Sequence, residues 1–420
     1  MNKKKILIHS IVFSPDSVST AYLYNDIALK FAENDYEVIV LTTTPHYNVI
    51  VEELNKQPLY AKWGGIYYES YFHNIRVIHV PQKKFKNSLL RILGFLYWHF
   101  VSLILGLLQK KISIILSPSP PLTIGLINII IAKIKNAKVI YNVQEIYPDF
   151  LINQKSLNNG FVINILKYLE KFVYNNSDAV VTIDTVFHDT ILNRFKDTSK
   201  LHIIPNFVDT VVFKPVPSSQ LDLDHSFFPV NDNVFKVMYA GNIGHAQDWN
   251  SLIEIAKSLK DFNIEFFVIG EGVMKQSLQN CIQDSNLNNI HLIPYQPRDK
   301  MAQLIAYADL HFIFMTKEME GQGFPSKVYT IMACNKPLLI LSGKNTPINN
   351  FLNPISCAFI ADAESFEENC NSLTQFLKTV INSPLILKEM GDNGYATIMK
   401  NYFKDNVTKQ YVDIANKLLK

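Results

Sequence analysis

Residues Phe235 to Gly244 read FKVMYAGNIG, and Gly323 to Pro337 read GFPSKVYTIMACNKP. The first stretch predicts a buried strand, a Gly-Asn-Ile-Gly turn and then a helix. The second, about eighty residues further on, predicts a loop whose Ser326-Lys327 pair opens an apolar helix. A strand that delivers glycines to a helix start lets backbone N–H groups approach phosphate oxygens. A lysine from a separate segment then neutralises a leaving diphosphate without a metal. Either half alone is common; the pair reads as two walls of one nucleotide-diphosphate pocket. The helix macrodipole disfavours a cation at a helix start, so Lys327 in that place argues for a bound anion over a merely solvated lysine. For Gly241, Asn242 and Gly244 the plain alternative is a tight turn with no ligand.

Outward from these walls, short apolar runs alternate with helical patterns, the grammar of parallel βαβ construction. In the first half the spacing predicts strands at 5–10, 37–41, 76–79, 112–116, 138–142, 179–182 and 202–204. Helices fit between them at 20–33, 88–108, 122–134, 162–175 and 185–194. From Asn206, the Pro- and Ser-rich NFVDTVVFKPVPSSQ reads as a connection, after which the pattern restarts with strands at 236–239, 265–269, 290–292, 310–314, 338–341 and 358–360. The expectation is an α/β chain of two Rossmann-like, doubly wound domains facing an interdomain cleft. The first covers 1–205, with 390–420 returning to it as a helix; the second covers 206–389. Ligands of open α/β sheets bind outside the carboxyl ends of the strands.

A chain of 420 residues exceeds one ordinary core, and 48% hydrophobic with 18% charged residues describes a well-packed globular protein. The net charge of +3 is small, but from Ser70 to Gln144 there is no Asp or Glu while Arg76, Lys83, Lys84, Lys86, Arg91, Lys110, Lys111, Lys133, Lys135 and Lys138 all fall there. Such one-sided charge suits an anionic surface or substrate. Cys281, Cys334, Cys357 and Cys370 show no metal or redox spacing and read as small buried hydrophobes in a reducing compartment. The basic start MNKKKILIHSIVF carries too short an apolar run for a signal peptide and reads as a first strand, so a cytoplasmic location is expected.

The motifs resemble the retaining glycosyltransferases of family 4, which have the GT-B fold. Phe13-Ser14-Pro15 before a helix, YEVIVLTTTPHYN, LEKFVYNNSDAVVTID, HIIPNFVD and FKP carry the likeness in the first half; VMYAGNIGHAQDWNSLIEIA, FVIGEG and PSKVYTIMACNKP carry it in the second. It is nearest to transferases that build bacterial surface polysaccharides such as O-antigen or capsule, several of which handle amino-deoxy sugars such as N-acetylated fucosamine. The resemblance implies a UDP-sugar donor held by the second domain, no cofactor and no metal. The acceptor, polyprenyl-diphosphate-linked or an oligosaccharide, would sit against the first domain. Nucleic acid is not an expected partner. The other readings are a UDP-sugar 2-epimerase on the same fold and a non-catalytic nucleotide-sugar-binding protein.

Charge on the leaving diphosphate falls to Lys327, to Ser326 and to the Gly241–Gly244 turn. Gly270-Glu271-Gly272 follows a strand and is expected to line the cleft at base or ribose, with a simple turn as the alternative. The family commonly carries two glutamates eight positions apart, and those places are Gln322 and Thr330 here. Gln322 can hydrogen-bond sugar hydroxyls, whereas Thr330 lacks the bidentate acceptor a ribose diol prefers; Glu318 and Glu320 lie close by.

On the acceptor side, Glu145 and Asp149 in NVQEIYPDF are the acidic candidates, able to orient the acceptor or stabilise oxocarbenium character; the alternative is a loop-capping carboxylate. Ser19-Thr20 stands where relatives often carry glycines and reads as a helix N-cap that could also touch substrate. His46, like His9 and His245, is a weaker candidate. The apolar segment SLLRILGFLYWHFVSLILGLL, 88–108, admits a buried helix or an interfacial one flanked by lysines, so that 83–111 would touch an anionic membrane on its inner face. A spanning helix would sever the first sheet, since strands are needed on both sides of it.

Overall fold

Runs such as Lys4–His9 become strands because covering helices bury both faces; Ile6, Leu7 and Ile8 have no exposed surface. The computed structural model describes residues 3–47, 49–82, 87–153, 156–231, 233–319 and 324–420. Gln322, Glu320 and Gly323 therefore lie outside the described residues, as do Lys83, Lys84 and Lys86. The chain divides into two units, Met1–Asn206 with Lys404–Lys420, and Phe207–Phe403.

The first unit holds a sheet of nine strands: β1 (Lys4–His9), β2 (Tyr36–Thr43), β3 (Tyr60–Lys62), β4 (Tyr67–Phe72), β5 (Ile75–Val80), β6 (Ile112–Ser119), β7 (Lys138–Val143), β8 (Ala179–Thr182) and β9 (Leu201–Ile203). Their order is β3-β4-β5-β2-β1-β6-β7-β8-β9, parallel from β5 to β9 and antiparallel at β3–β4–β5. The β3–β4 hairpin is absent from the sequence expectation; the other seven strands fall where expected to within a few residues. Order reverses between β1 and β6, which is the topological switch point. Helix Ser88–Leu108 packs beside it, with Trp98, Val101 and Leu105 in one core with Leu7, Ile39 and Ile78.

In the second unit β10 (Phe235–Ala240), β11 (Ile264–Ile269), β12 (Ile290–Ile293), β13 (Leu310–Phe314), β14 (Leu338–Leu341) and β15 (Ala358–Ala361) form one parallel sheet, ordered β12-β11-β10-β13-β14-β15. Its switch point lies between β10 and β13. Apolar cores cover both faces, one centred on Val237, Phe266 and Phe312 and the other on Ile313, Met332 and Ile340.

The return of the chain begins later than the expected 390. Helix Pro384–Asn401 belongs to the second unit, where it packs on helix Lys327–Ala333 and Asn335 donates to Asp392 at 3.0 Å. Only helix Lys404–Leu418 joins the first unit. It packs on helix Ser19–Glu33, with Lys30 paired to Asp405 at 2.9 Å and Tyr36 donating to Asn416 at 2.9 Å. Its Tyr411 hydroxyl accepts from Asn142 of β7. The break at Tyr402-Phe403 was invisible to an apolar-periodicity argument because both helices are amphipathic. Cys281 is exposed, contrary to expectation, while Cys334, Cys357 and Cys370 are buried.

Candidate active site

Strand β10 ends at Ala240 and hands Gly241 to the switch point with φ +153°. Lys327, first residue of helix Lys327–Ala333, reaches across to that strand end. Its Nζ donates to the Ala240 carbonyl at 3.1 Å and lies 3.8 Å from the centroid of the Tyr239 ring. A Cβ on Gly241 would stand 2.5 Å from this nitrogen, so a larger residue there would push the lysine tip aside. Lys327 forms no ion pair among the described residues, and burial pushes its pKa down to about 7. A buried lysine without a counter-charge is an uncommon arrangement, and its depressed pKa reflects that burial. The sequence reading put Lys327 and the glycine turn together, and the structure does the same.

The turn itself differs from the expected open cradle. The Gly241 N–H donates to Ile269 and the Ile243 N–H to Glu271, each at 2.9 Å, so these donors tie the turn to the neighbouring Gly270–Gly272 loop. That loop approaches so closely that a Cβ on Gly270 would lie 1.9 Å from the Gly241 carbonyl; Gly270 and Gly272 both sit at positive φ. The helix after the turn starts at Trp249, where the apolar spacing places it, and its N-terminus is capped by Asp248, which accepts from Asn250 and Ser251 at 3.1 and 3.2 Å. The turn therefore presents the Lys327 side chain at the strand end rather than a free helix start.

Around this centre Asn242 is exposed and its carbonyl accepts from Tyr239 Oη at 2.8 Å, while the Gly244 carbonyl accepts from Trp249 Nε1 at 3.0 Å. Glu271 is exposed and paired with Lys275 at 2.7 Å, a contact that holds its carboxyl below the usual range. Ser326 is exposed and makes no side-chain cap. Thr330 donates back to the Lys327 carbonyl at 2.8 Å. Sequence reasoning missed Tyr239, whose ring supports the ammonium and whose hydroxyl pins the turn. Its place one residue before Ala240 in the strand was the available signal.

In the first unit a cavity of about 340 Å³ opens at the β1/β6 switch point, lined among others by Ser10, Thr20, Tyr47, Ser119, Gln144 and Glu145. Glu145 carries the one acidic side chain on that lining; burial raises its carboxyl above the ordinary range against the pull of a hydrogen bond from Tyr147. Thr20 lines the cavity, but Ser19-Thr20 is not a cap: Val18 holds the N-cap place without a side-chain bond. His46 sits beside it, its backbone held by Asp16 at 2.8 Å and its ring against Tyr47 at 4.2 Å. Asp149 stands apart from the acceptor role expected of it. Arg194 pairs with it at 2.6 Å and also with the buried Glu170, so Asp149 fastens a helix start to the core. His9 is a buried core residue whose Nδ1 meets Asn128 Oδ1 at 2.8 Å.

Two α/β units, each with a parallel-sheet switch point, are the plan of the GT-B fold, and comparison with known proteins agrees. Residues 22–212 match the model of Glycosyltransferase Family 4 and residues 222–394 that of Glycosyl transferases group 1, so the chain belongs to these glycosyltransferases. It is 22% identical over 415 residues, 97% of this chain and 99% of its relative, to WcaI of Escherichia coli (strain K12), whose name places it in colanic acid biosynthesis as a glycosyl transferase. It is 21% identical over 311 residues, 63% of this chain and 61% of the relative, to a poly(ribitol-phosphate) alpha-N-acetylglucosaminyltransferase of Staphylococcus aureus (strain COL). Among solved structures, Anabaena HepE in complex with UDP superposes with a TM-score of 0.72 at 15% identity, covering 98% of this chain and 100% of that one. The chain is a glycosyltransferase related to enzymes of bacterial polysaccharide biosynthesis.

Proposed function

We propose that this enzyme transfers a sugar, an amino-deoxy hexose among the candidates, from a UDP-linked donor to a lipid-linked or saccharide acceptor in surface-polysaccharide assembly, with retention at the anomeric carbon and without a metal. The observation that carries the reading is the Lys327 ammonium, enclosed beside Gly241 with no carboxylate partner among the described residues. In the transfer the bond from the anomeric carbon to the diphosphate oxygen breaks, and Lys327 stabilises the charge left on UDP. The acceptor hydroxyl forms the new bond on the same face and passes its proton to the departing phosphate. Glu145, in the first-unit cavity, orients the acceptor or offsets positive charge on the sugar ring.

Support for UDP comes from HepE, solved with that nucleotide; support for polysaccharide assembly comes from the name of WcaI. The enzyme then works in the cytoplasm, at the inner face of the membrane where a lipid-linked acceptor resides. The test is incubation with a panel of labelled UDP-sugars and a membrane extract, followed by NMR of the product's anomeric configuration. Transfer with the donor's configuration kept is the expected result. Interconversion of the UDP-sugar without transfer, or an inverted linkage, contradicts the reading.

A further inference from the structure

Helix Ser88–Leu108 buries one face and leaves the other bare. Trp98 is 1% exposed, whereas Phe100 is 63% exposed, and Leu93, Leu96, Tyr97, Ile104 and Leu108 are exposed along the same side. These positions recur every three or four residues and so make one apolar stripe along a helix about 30 Å long. The stretch Leu90–Leu108 has a mean hydropathy of 1.7. Beside it the β3–β4 hairpin carries Trp63 at its turn, 57% exposed, with Tyr60 exposed next to it. An open apolar cavity of about 490 Å³ joins the two, lined by Gly65 and Tyr68 of the hairpin and by Leu90, Leu93, Gly94 and Tyr97 of the helix. Helix, cavity and hairpin thus form a single apolar surface, too extended to be left against water without a purpose.

Charge decides what covers it. Arg91, Lys110, Lys111 and Lys62 are exposed around the apolar centre, and no Asp or Glu occurs between Ser70 and Gln144. An apolar stripe with a basic rim matches the boundary between acyl chains and anionic headgroups, where each added Lys or Arg strengthens the attraction. Spanning is excluded by the other face: Trp98, Val101 and Leu105 are sealed into the core with Leu7 and Ile39, and crossing the bilayer would strip them from it. We infer that this composite surface docks the enzyme on an anionic bilayer, with the helix lying in the interface, the hairpin turn inserted beside it, and the cavity between them taking one lipid chain. The inference gives the lipid-linked acceptor proposed above a place to be met, and rests on that reading only for its purpose.

The test uses the whole chain with vesicles of phosphatidylcholine alone and of equal parts phosphatidylcholine and phosphatidylglycerol. Wild type should sediment with the anionic vesicles, less so at high salt, and Leu96→Glu/Phe100→Glu should bind at least tenfold more weakly. Both substituted positions are exposed, so the variant's unfolding temperature should match wild type. Of the three tryptophans only Trp63 is exposed, since Trp98 and Trp249 are buried. Quenching by brominated lipid should accordingly be present in wild type and lost in Trp63→Phe. Equal vesicle binding by wild type and the double variant overturns the inference. So does a dimer that the double variant dissociates, without any vesicle binding, because the surface then belongs to a second copy. UDP titrated in parallel separates this from the proposed function: loss of vesicle binding with intact UDP binding defeats only the docking surface, and the converse defeats only the donor reading.

Discussion

At the scale of single residues the account rests on Lys327, Glu145 and Asp149. Lys327 has a pKa of about 7 in the folded protein, below its ordinary value of 10.5, because burial disfavours its charge. Between those values the unfolded chain holds a proton that the folded chain lacks, so the penalty is fully present below about pH 7 and fades as pH rises towards 10.5. Lys327→Met should therefore raise the unfolding temperature of the ligand-free enzyme near pH 7 while abolishing turnover; an unchanged or lower unfolding temperature would show that the ammonium is not strained. Glu145→Gln should lower kcat by a factor of ten or more. It should also remove an acidic limb of the rate profile that lies above the ordinary glutamate range, because burial raises this carboxyl. Full activity in that variant would exclude Glu145 from the reaction. Asp149→Asn should cost stability rather than chemistry, since it loosens the pair with Arg194. Neither Arg194 nor Glu170 is near Asp149 in sequence, which is why its structural role could not be read from NVQEIYPDF.

At the scale of elements, the strands were legible wherever both faces are buried. Ala179–Thr182, Leu310–Phe314 and Leu338–Leu341 fall residue for residue where a continuous apolar run predicts them. The β3–β4 hairpin was missed because YAKWGGIYYESYF mixes exposed aromatics with polar residues, and the Gly64-Gly65 turn was its only local signal. The coupling of two loops was equally hidden. Nothing in FVIGEG announces that Gly270 touches Gly241, since the close approach exists only once β10 and β11 pair. Gly270→Ala places a methyl 1.9 Å from a carbonyl and at a φ of +145°. It should destabilise the enzyme by about 2–4 kcal/mol in chemical unfolding. A cost below about 1 kcal/mol would mean that the two loops are not locked together.

At the scale of the whole molecule, the two-unit α/β plan and the lysine–glycine pairing follow from sequence grammar, while the strand order with its switch points, the seam at Phe403 and the character of each acidic candidate needed the tertiary structure. Stability against acid is also a whole-chain property. His9 and His79 are held to about 4 and His311 to about 3 by burial, below an unfolded value near 6.5. The unfolded chain takes up protons first, so their contribution to stability is lost as pH falls from about 6.5. His311→Gln should reduce the stability difference between pH 7 and pH 5 by on the order of 1–2 kcal/mol; an unchanged difference would place the acid sensitivity elsewhere. The central claim, that Lys327 receives the donor's diphosphate, is tested most directly by calorimetric titration of UDP at pH 8 in two buffers of different ionisation enthalpy. With a pKa of about 7 the lysine is mostly neutral there, and forming the ammonium–diphosphate pair draws a proton from buffer. Wild type should bind UDP with uptake of about 0.9 proton, and Lys327→Ala should show neither the uptake nor the affinity. UDP binding of equal strength in both proteins, with no proton taken up, would contradict the account.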